Sequence, residues 1–104
     1  MTFKEMLDST GIKHSEGEFR AEAKPPYIVW ESDCETICAD GVVVAIAGSY
    51  TVYLAVSRGD STSEGTLEAA LDGHGIAYTK DKSWIGGKQM IYLCEYDFAA
   101  QTEW

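Results

Sequence analysis

The chain has 104 residues, of which 45% are apolar, and its seventeen acidic and eight basic residues give a formal net charge of −9. A chain of this length folds as one domain, and this apolar content supports one core and excludes a wholly disordered chain. The acidic balance argues against a surface for duplex DNA or anionic lipid, because both require Lys and Arg beside phosphates. It suits a protein that lies near DNA without binding it, and it equally suits plain solubility.

The sequence contains no signal for secretion or membrane insertion. No stretch approaches the roughly 20 apolar residues that a spanning helix needs, and residues 1–5 lack the charged and apolar regions of a signal peptide. Three cysteines in such a chain indicate free thiols in a reducing compartment. We therefore expect a single domain over residues 1–104 that is made in a cytoplasm.

The N-terminal quarter predicts a short helix followed by a polar segment. Thr2 and Glu5 have the spacing of a capping box, and an apolar face at i, i+3 and i+4 begins at Phe3, so a helix is expected over residues 2–9. Residues 13–26 are polar, lack a period and end in two prolines. We expect them to form a linker or an arm.

Strand patterns fill the next part of the chain. Residues 27–30 form a compact apolar run, and residues 31–40 carry four acids and alternate poorly, as in a strand that frays into an exposed loop. Residues 42–47 form a short apolar segment bounded by glycines. Residues 50–57 alternate cleanly and predict the clearest strand.

A second helix and two more strands complete the chain. Ser61 and Glu64 offer another capping box, and an apolar stripe at i, i+3, i+4 and i+7 begins at Leu67 and reaches His74. Residues 76–82 and 88–98 then predict two strands joined by a hairpin. This order predicts an α+β fold, with a mainly antiparallel four-stranded sheet and two helices packed on one face.

The second face of this sheet is the first feature that points to function. The last strand is apolar on both of its sides, so its second face is expected either to lie under residues 42–47 or to be buried against another molecule. Rigid aromatic side chains are favoured in homo-oligomer interfaces, although they also fill sheet cores. The candidate interface residues are Trp30, Tyr53, Trp84, Ile91 and Leu93.

No catalytic, cofactor-binding or metal-binding residue is predicted. Cys34 and Cys38 are separated by three residues, which is not the spacing of a zinc pair, and Cys94 alternates with aromatic residues as a core thiol would. His74 falls on a helix stripe or at its C-terminus, and His14 lies in the polar segment with nothing nearby to tune it. Neither histidine accompanies a nucleophile and an orienting acid.

Several short motifs nevertheless occur in a characteristic order. They are Thr10-Gly11-Ile12, the run Lys-Pro-Pro-Tyr-Ile-Val-Trp at 24–30, Ala39-Asp40, Tyr-Thr-Val-Tyr-Leu at 50–54, a Glu- and Leu-rich helix, and a closing strand over residues 92–98. This pattern covers nearly the whole chain. It resembles the small tail-completion, or head–tail joining, proteins of long-tailed phages and prophages of Gram-positive bacteria.

The resemblance implies a tail-terminator-like fold and a structural role without enzymatic residues. Members of that family form rings, often hexameric, that cap the tail tube and join it to the head while DNA passes through the lumen. The partners implied are other copies of the chain, tail-tube proteins and head-connector proteins, and the location implied is the tail or neck of a virion. Two alternatives stay open: a small acidic protein-binding module of a prophage or other mobile element, and a small enzyme.

Overall fold

The computed structural model describes residues 3–17, 24–86 and 90–101. Two helices and five strands are present in these residues, and the α+β class predicted from the sequence is confirmed. In chain order the elements are α1 (Phe3–Ser9), β1 (Lys13–Glu16), β2 (Tyr27–Ala39), β3 (Val42–Ser57), α2 (Thr62–Gly73), β4 (Thr79–Gly86) and β5 (Ile91–Ala99).

The strands form one mixed sheet in the order β1-β2-β3-β5-β4, in which β1 runs parallel to β2 and the other pairs are antiparallel. The prediction of four strands is therefore wrong, because part of the polar segment is an edge strand. Four polar residues are too few to show a period, and an edge strand needs no apolar stripe.

His14 on β1 has a partner that the sequence did not predict. Its Nε2 atom lies 2.6 Å from Asp8 Oδ1, and this contact links β1 to α1. Residues 18–23 of the polar segment lie outside the described residues.

A long β-hairpin joins β2 to β3 and corrects two further predictions. Residues 31–39 do not fray into a loop, and residues 42–47 are not a separate segment, because the two stretches pair with each other. The connection is the dipeptide Asp40-Gly41, with φ angles of 52° and 77°. Two successive positive φ angles are those of the tight turn that suits the twist of a hairpin.

The distal part of this hairpin projects from the sheet. Strand β1 pairs with β2 only up to Trp30, and β5 pairs with β3 only from Ser49 onward. Residues 31–48, here called the hairpin arm, therefore form a ribbon of two strands. Among the described residues, its outer edges pair with no further strand, and the Gly48 carbonyl at its base accepts a hydrogen bond from the Ala100 N–H at 3.0 Å. The arm contributes to an elongated molecule that measures 53 × 25 × 21 Å.

The core lies between the two helices and one face of the sheet. Alternate residues of the central strands point to the helices, because successive side chains of a strand face opposite ways. The buried cluster consists of Phe3, Met6 and Leu7 from α1, Leu67 and Leu71 from α2, Ile76 from the following loop, and Ile28, Trp30, Val52, Leu54, Val56, Cys94, Tyr96 and Phe98 from the sheet. Both helices thus pack on the same face of the sheet.

The N-terminus of α2 is capped differently from the prediction. Asp60 accepts hydrogen bonds from the Ser63 backbone N–H at 3.1 Å and from the Ser63 hydroxyl at 2.8 Å. Ser61 makes no side-chain capping bond, and Glu64 turns towards β4 instead, so the predicted capping box is wrong. The capping box predicted at Thr2 lies outside the described residues.

The last two strands also differ in their bounds from the prediction. Strand β4 begins at Thr79, because Ile76 leaves the predicted strand and packs in the core. The predicted connection at residues 84–87 is wrong in its first three residues, because they belong to β4. Gly87 of that connection and the first two residues of the predicted last strand, 88 and 89, lie outside the described residues. His74 follows the last turn of α2 and is exposed, so it is not part of the apolar stripe.

Candidate protein-interaction surface

The structure brings together three of the five candidate interface residues. Tyr53 lies on β3, and Ile91 and Leu93 lie on β5, which is the neighbouring strand. The pairing partners Val52, Leu54, Cys94 and Tyr96 point to the helices, so the residues between them in sequence point away. Tyr53, Ile91 and Leu93 therefore share the sheet face opposite the helices, here called the open face.

The other two candidates lie elsewhere. Trp30 is only 5% exposed and packs edge-on against Phe3, with ring centroids 4.8 Å apart. It belongs to the core and does not lie on the surface of the chain. Trp84 is 49% exposed, but it lies on the edge strand beside Tyr92, with ring centroids 4.7 Å apart. Because Tyr92 packs against the core cluster, Trp84 is on the helix side of the sheet.

The open face has an apolar centre. Val29 and Ala55 are buried, yet neither belongs to the core cluster between the sheet and the helices. They pair across the strands with Tyr53 and Leu93, whose larger side chains shield them. One of the two predictions was that residues 42–47 cover this face. They do not, because they pair with β2 in the hairpin arm. The buried residues of both described helices pack on the other side of the sheet.

Carboxylates border this apolar centre. Glu95 pairs with Tyr53, and Glu31 and Asp97 both pair with Thr51, whose hydroxyl donates a hydrogen bond to Asp97 Oδ1 at 2.8 Å. Burial raises the pKa of Tyr53, and the carboxylates of Glu95 and Glu31 raise it further. Contact with Asp97, followed by burial, raises the pKa of Glu95. The open face is thus an apolar patch beside a negative border.

The opposite side of the sheet carries a cluster of paired charges between α2 and β4. Glu64 accepts hydrogen bonds from Lys80 Nζ at 2.9 Å and from Lys82 Nζ at 2.5 Å, and Lys80 also contacts Glu68 at 3.1 Å. Burial raises the pKa of Glu64, but the bonds from the two lysines outweigh it and the net shift is downward. Burial lowers the pKa of Lys80, but its bonds to the two glutamates raise it to about 12. The cluster fastens the edge strand β4 to α2.

We expect Glu64→Gln to lower the free energy of unfolding by about 1–3 kcal/mol at neutral pH, because it removes charge-assisted hydrogen bonds to Lys80 and Lys82. The pKa of Glu64 is lowered in the folded state, so its contribution is present above the ordinary glutamate pKa and is lost as pH falls through the folded-state value. Urea unfolding at pH 7 and below about pH 4 should therefore show a difference that disappears in acid. The control is Glu35→Gln on the exposed arm, and an equal loss in both variants would contradict this account.

The three cysteine thiols differ in how far they are buried. Cys94 is buried in the core, as predicted, and burial raises its pKa to about 11, which disfavours the reactive thiolate. Cys34 and Cys38 lie on the arm, where Cys34 Sγ lies 3.5 Å from the Ser49 carbonyl oxygen. Within residues 3–17, 24–86 and 90–101, no group of three potential ligands is placed to hold a metal ion.

An open pocket of about 150 Å³ lies beside the charge cluster. Its charged groups already have partners: Lys82 binds Glu64, and Asp60 caps α2 through Ser63. The pocket therefore lies at the junction between α2 and β4. The lining residues are Ser57, Gly59, Asp60, Ser61, Glu64, Lys82 and Tyr92.

The hairpin arm is the surface that sequence reasoning missed. Its end exposes Ile37, Val42, Val43 and Val44, each between 49% and 63% exposed. The signal that could have found it is the Asp40-Gly41 dipeptide between two apolar stretches, which is a strong short-range indication of a hairpin.

Comparison with known proteins does not place the chain in a family. No protein-family model matches it, and no curated protein matches it. Among the helices that the structure describes, none is long and apolar enough to cross a membrane.

Proposed function

We propose that this protein is a structural component of virion morphogenesis, a tail-completion, tail-terminator or head–tail joining protein that assembles into a ring. The proposed partners are other copies of the chain, tail-tube proteins and head-connector proteins. The proposed site of action is the tail or neck of a virion made in a bacterial cytoplasm. The role is a non-catalytic one, and the tail-terminator-like arrangement of the sheet and helices is part of the proposal.

One observation carries the proposal of self-assembly, namely the open face. Half-buried apolar side chains that lie together on one sheet face, next to a polar border, suit a surface that another protein covers. Tyr53, Ile91 and Leu93 supply this area, and the buried residues of the described helices lie on the opposite side of the sheet. Burial of such a face would also add to the limited core of a chain of 104 residues.

The phage role rests on the sequence resemblance and on charge. The motifs at positions 10–12, 24–30, 39–40, 50–54 and 92–98 are those that resemble the head–tail joining family. A net charge of −9 suits a ring through which DNA passes without being held, because the lumen would repel phosphates.

The alternative function, a small acidic protein-binding module, is favoured by the hairpin arm. Glu31, Asp33, Glu35 and Asp40 lie on it, and within the described residues no cation lies within 4.0 Å of them. An arm with this charge would suit a basic protein partner. The two functions differ in whether the chain forms a ring with its own copies.

We expect Tyr53→Glu to block assembly, because it places a charge in the apolar centre of the open face next to Glu31 and Glu95. In a ring each subunit presents two different patches, so damage to one patch prevents closure. The measurement is made in a phage-producing lysate, in which capsids with joined tails are counted by electron microscopy. Joined particles should fall at least about tenfold, because a loss of about 1.4 kcal/mol at a single contact already weakens that contact tenfold.

Two further variants make this result specific. Ala69→Glu introduces the same charge on the exposed side of α2 and should leave assembly unchanged. Leu93→Lys alters the open face without adding to its negative border, and it should also block assembly. If folded Tyr53→Glu and Leu93→Lys proteins still yield tails joined to heads, the open face is not the assembly surface.

A further inference from the structure

The strand edges that are free among residues 3–17, 24–86 and 90–101 differ in charge. The outer edge of β1 carries Lys13 and Glu16, and the outer edge of β4 carries the alternating charges of residues 80–82. On the arm, the outer edge of β2 carries Glu31, Asp33 and Glu35. Charged side chains on an edge strand prevent unwanted pairing with another chain. These three edges are therefore protected.

The fourth edge that is free among the described residues carries no charge, and its one irregularity is a register shift that leaves Val44 unpaired between Val43 and Ala45. Residues 42–47 of β3 read Val-Val-Val-Ala-Ile-Ala, so they contain no charged or polar side chain. Val42, Val43 and Val44 are 54–63% exposed, and β5 pairs with β3 only from Ser49 onward. The outward N–H and C=O groups of residues 42–47 have no strand partner among the described residues. An uncharged, β-branched edge of this length is a template for pairing with another strand.

We propose that two copies of this chain pair the outer edges of residues 42–47 in antiparallel fashion, so that their hairpin arms form one ribbon of four strands. The contact is two-fold symmetric, with the same segment on both sides. It satisfies the free backbone groups of both edges. Because the antiparallel register places residue 42 opposite residue 47, each valine packs against an alanine or isoleucine of the other copy. It uses a surface different from the open face and so goes beyond the ring contact proposed above.

The charges of the arm favour this partner. In the ribbon the two β3 strands are central and the two acidic β2 strands are outermost. Three strand spacings then separate the rows of Glu31, Asp33 and Glu35 in the two copies, a distance of about 14 Å. This exceeds the screening length of about 8 Å at physiological salt, so the repulsion between the rows is weak. Pairing through the β2 edges would instead place the two acidic rows side by side.

The test compares two arm variants that each add one positive charge. Val43→Lys places a lysine on the proposed contact edge, and Thr36→Lys places one at an exposed position on the β2 strand of the same arm. We expect Val43→Lys to weaken self-association at least about tenfold in sedimentation equilibrium, whereas Thr36→Lys retains the wild-type mass. Equal masses for wild type and Val43→Lys would overturn the proposal, and so would a monomeric wild type at every concentration.

The open-face variant separates this contact from the ring. Tyr53→Glu should leave a dimer held by the arms, whereas the double variant Tyr53→Glu with Val43→Lys should be a monomer. A Tyr53→Glu protein that is already monomeric would refute arm pairing and leave the ring proposal standing. Hydrogen exchange provides a readout that needs no variant: amides of residues 42–47 should exchange more slowly as protein concentration rises. Exchange that does not depend on concentration would refute the contact.

Discussion

Leu71→Ala is expected to cost about 2–5 kcal/mol of unfolding free energy. Leu71 is fully buried on α2 and packs in the cluster that joins both helices to the sheet. Truncation removes apolar contacts and leaves a cavity that the surrounding side chains fill only in part. Urea or thermal unfolding of the purified protein measures the loss directly.

The matched control for this prediction is Asp72→Ala, which truncates the neighbouring side chain on the exposed side of α2. Exposed substitutions of this kind change stability by about 0.5 kcal/mol or less. If Leu71→Ala costs no more than the control, α2 does not pack on the sheet as described.

Gly48→Ala is expected to open the base of the hairpin arm at a local cost of about 2–4 kcal/mol. Gly48 has φ +127°, a conformation that side chains rarely adopt. A Cβ atom there would overlap the Asp33 carbonyl oxygen and lie 2.7 Å from Cys34 Cα. Both contacts are with backbone, so the two strands must separate. Amides of the arm should lose protection in hydrogen exchange, while those of the core strands keep it.

Gly65→Ala serves as the control for this substitution. Gly65 lies in α2, and a Cβ atom there would meet nothing within 4 Å. Alanine favours a helix interior over glycine by roughly 0.5–1 kcal/mol, so this variant should be slightly more stable than wild type. Unchanged exchange of the arm in Gly48→Ala would contradict the close approach of β2 and β3 at this position.

The parts of the fold that the sequence predicts are those with a clear period. Residues 50–57 alternate and form the central part of β3, and the stripe that begins at Leu67 forms the buried side of α2. Strand β1 was missed because four polar residues at a sheet edge show no period. The hairpin arm was missed because residues 31–39 are acidic and exposed, and therefore show no apolar alternation. They form a strand because they pair with residues 42–47, and not because they are buried.

The candidate surface was predictable only where alternation decides which way a side chain points. Tyr53 and Leu93 follow from the alternation of β3 and β5, and the structure places them together. Val29 and Trp30 are both apolar, so the sequence does not say which of them faces the helices. The pairing of Trp30 with Val52 turns its ring into the core.

The central claim is that this chain functions by assembling with its own copies. Its most direct test is the mass of the purified wild-type protein, measured by light scattering after size-exclusion chromatography over a wide range of concentrations. The account predicts a discrete multiple of 11.4 kDa that grows in population as concentration rises. A protein that stays at 11.4 kDa at every concentration would contradict it.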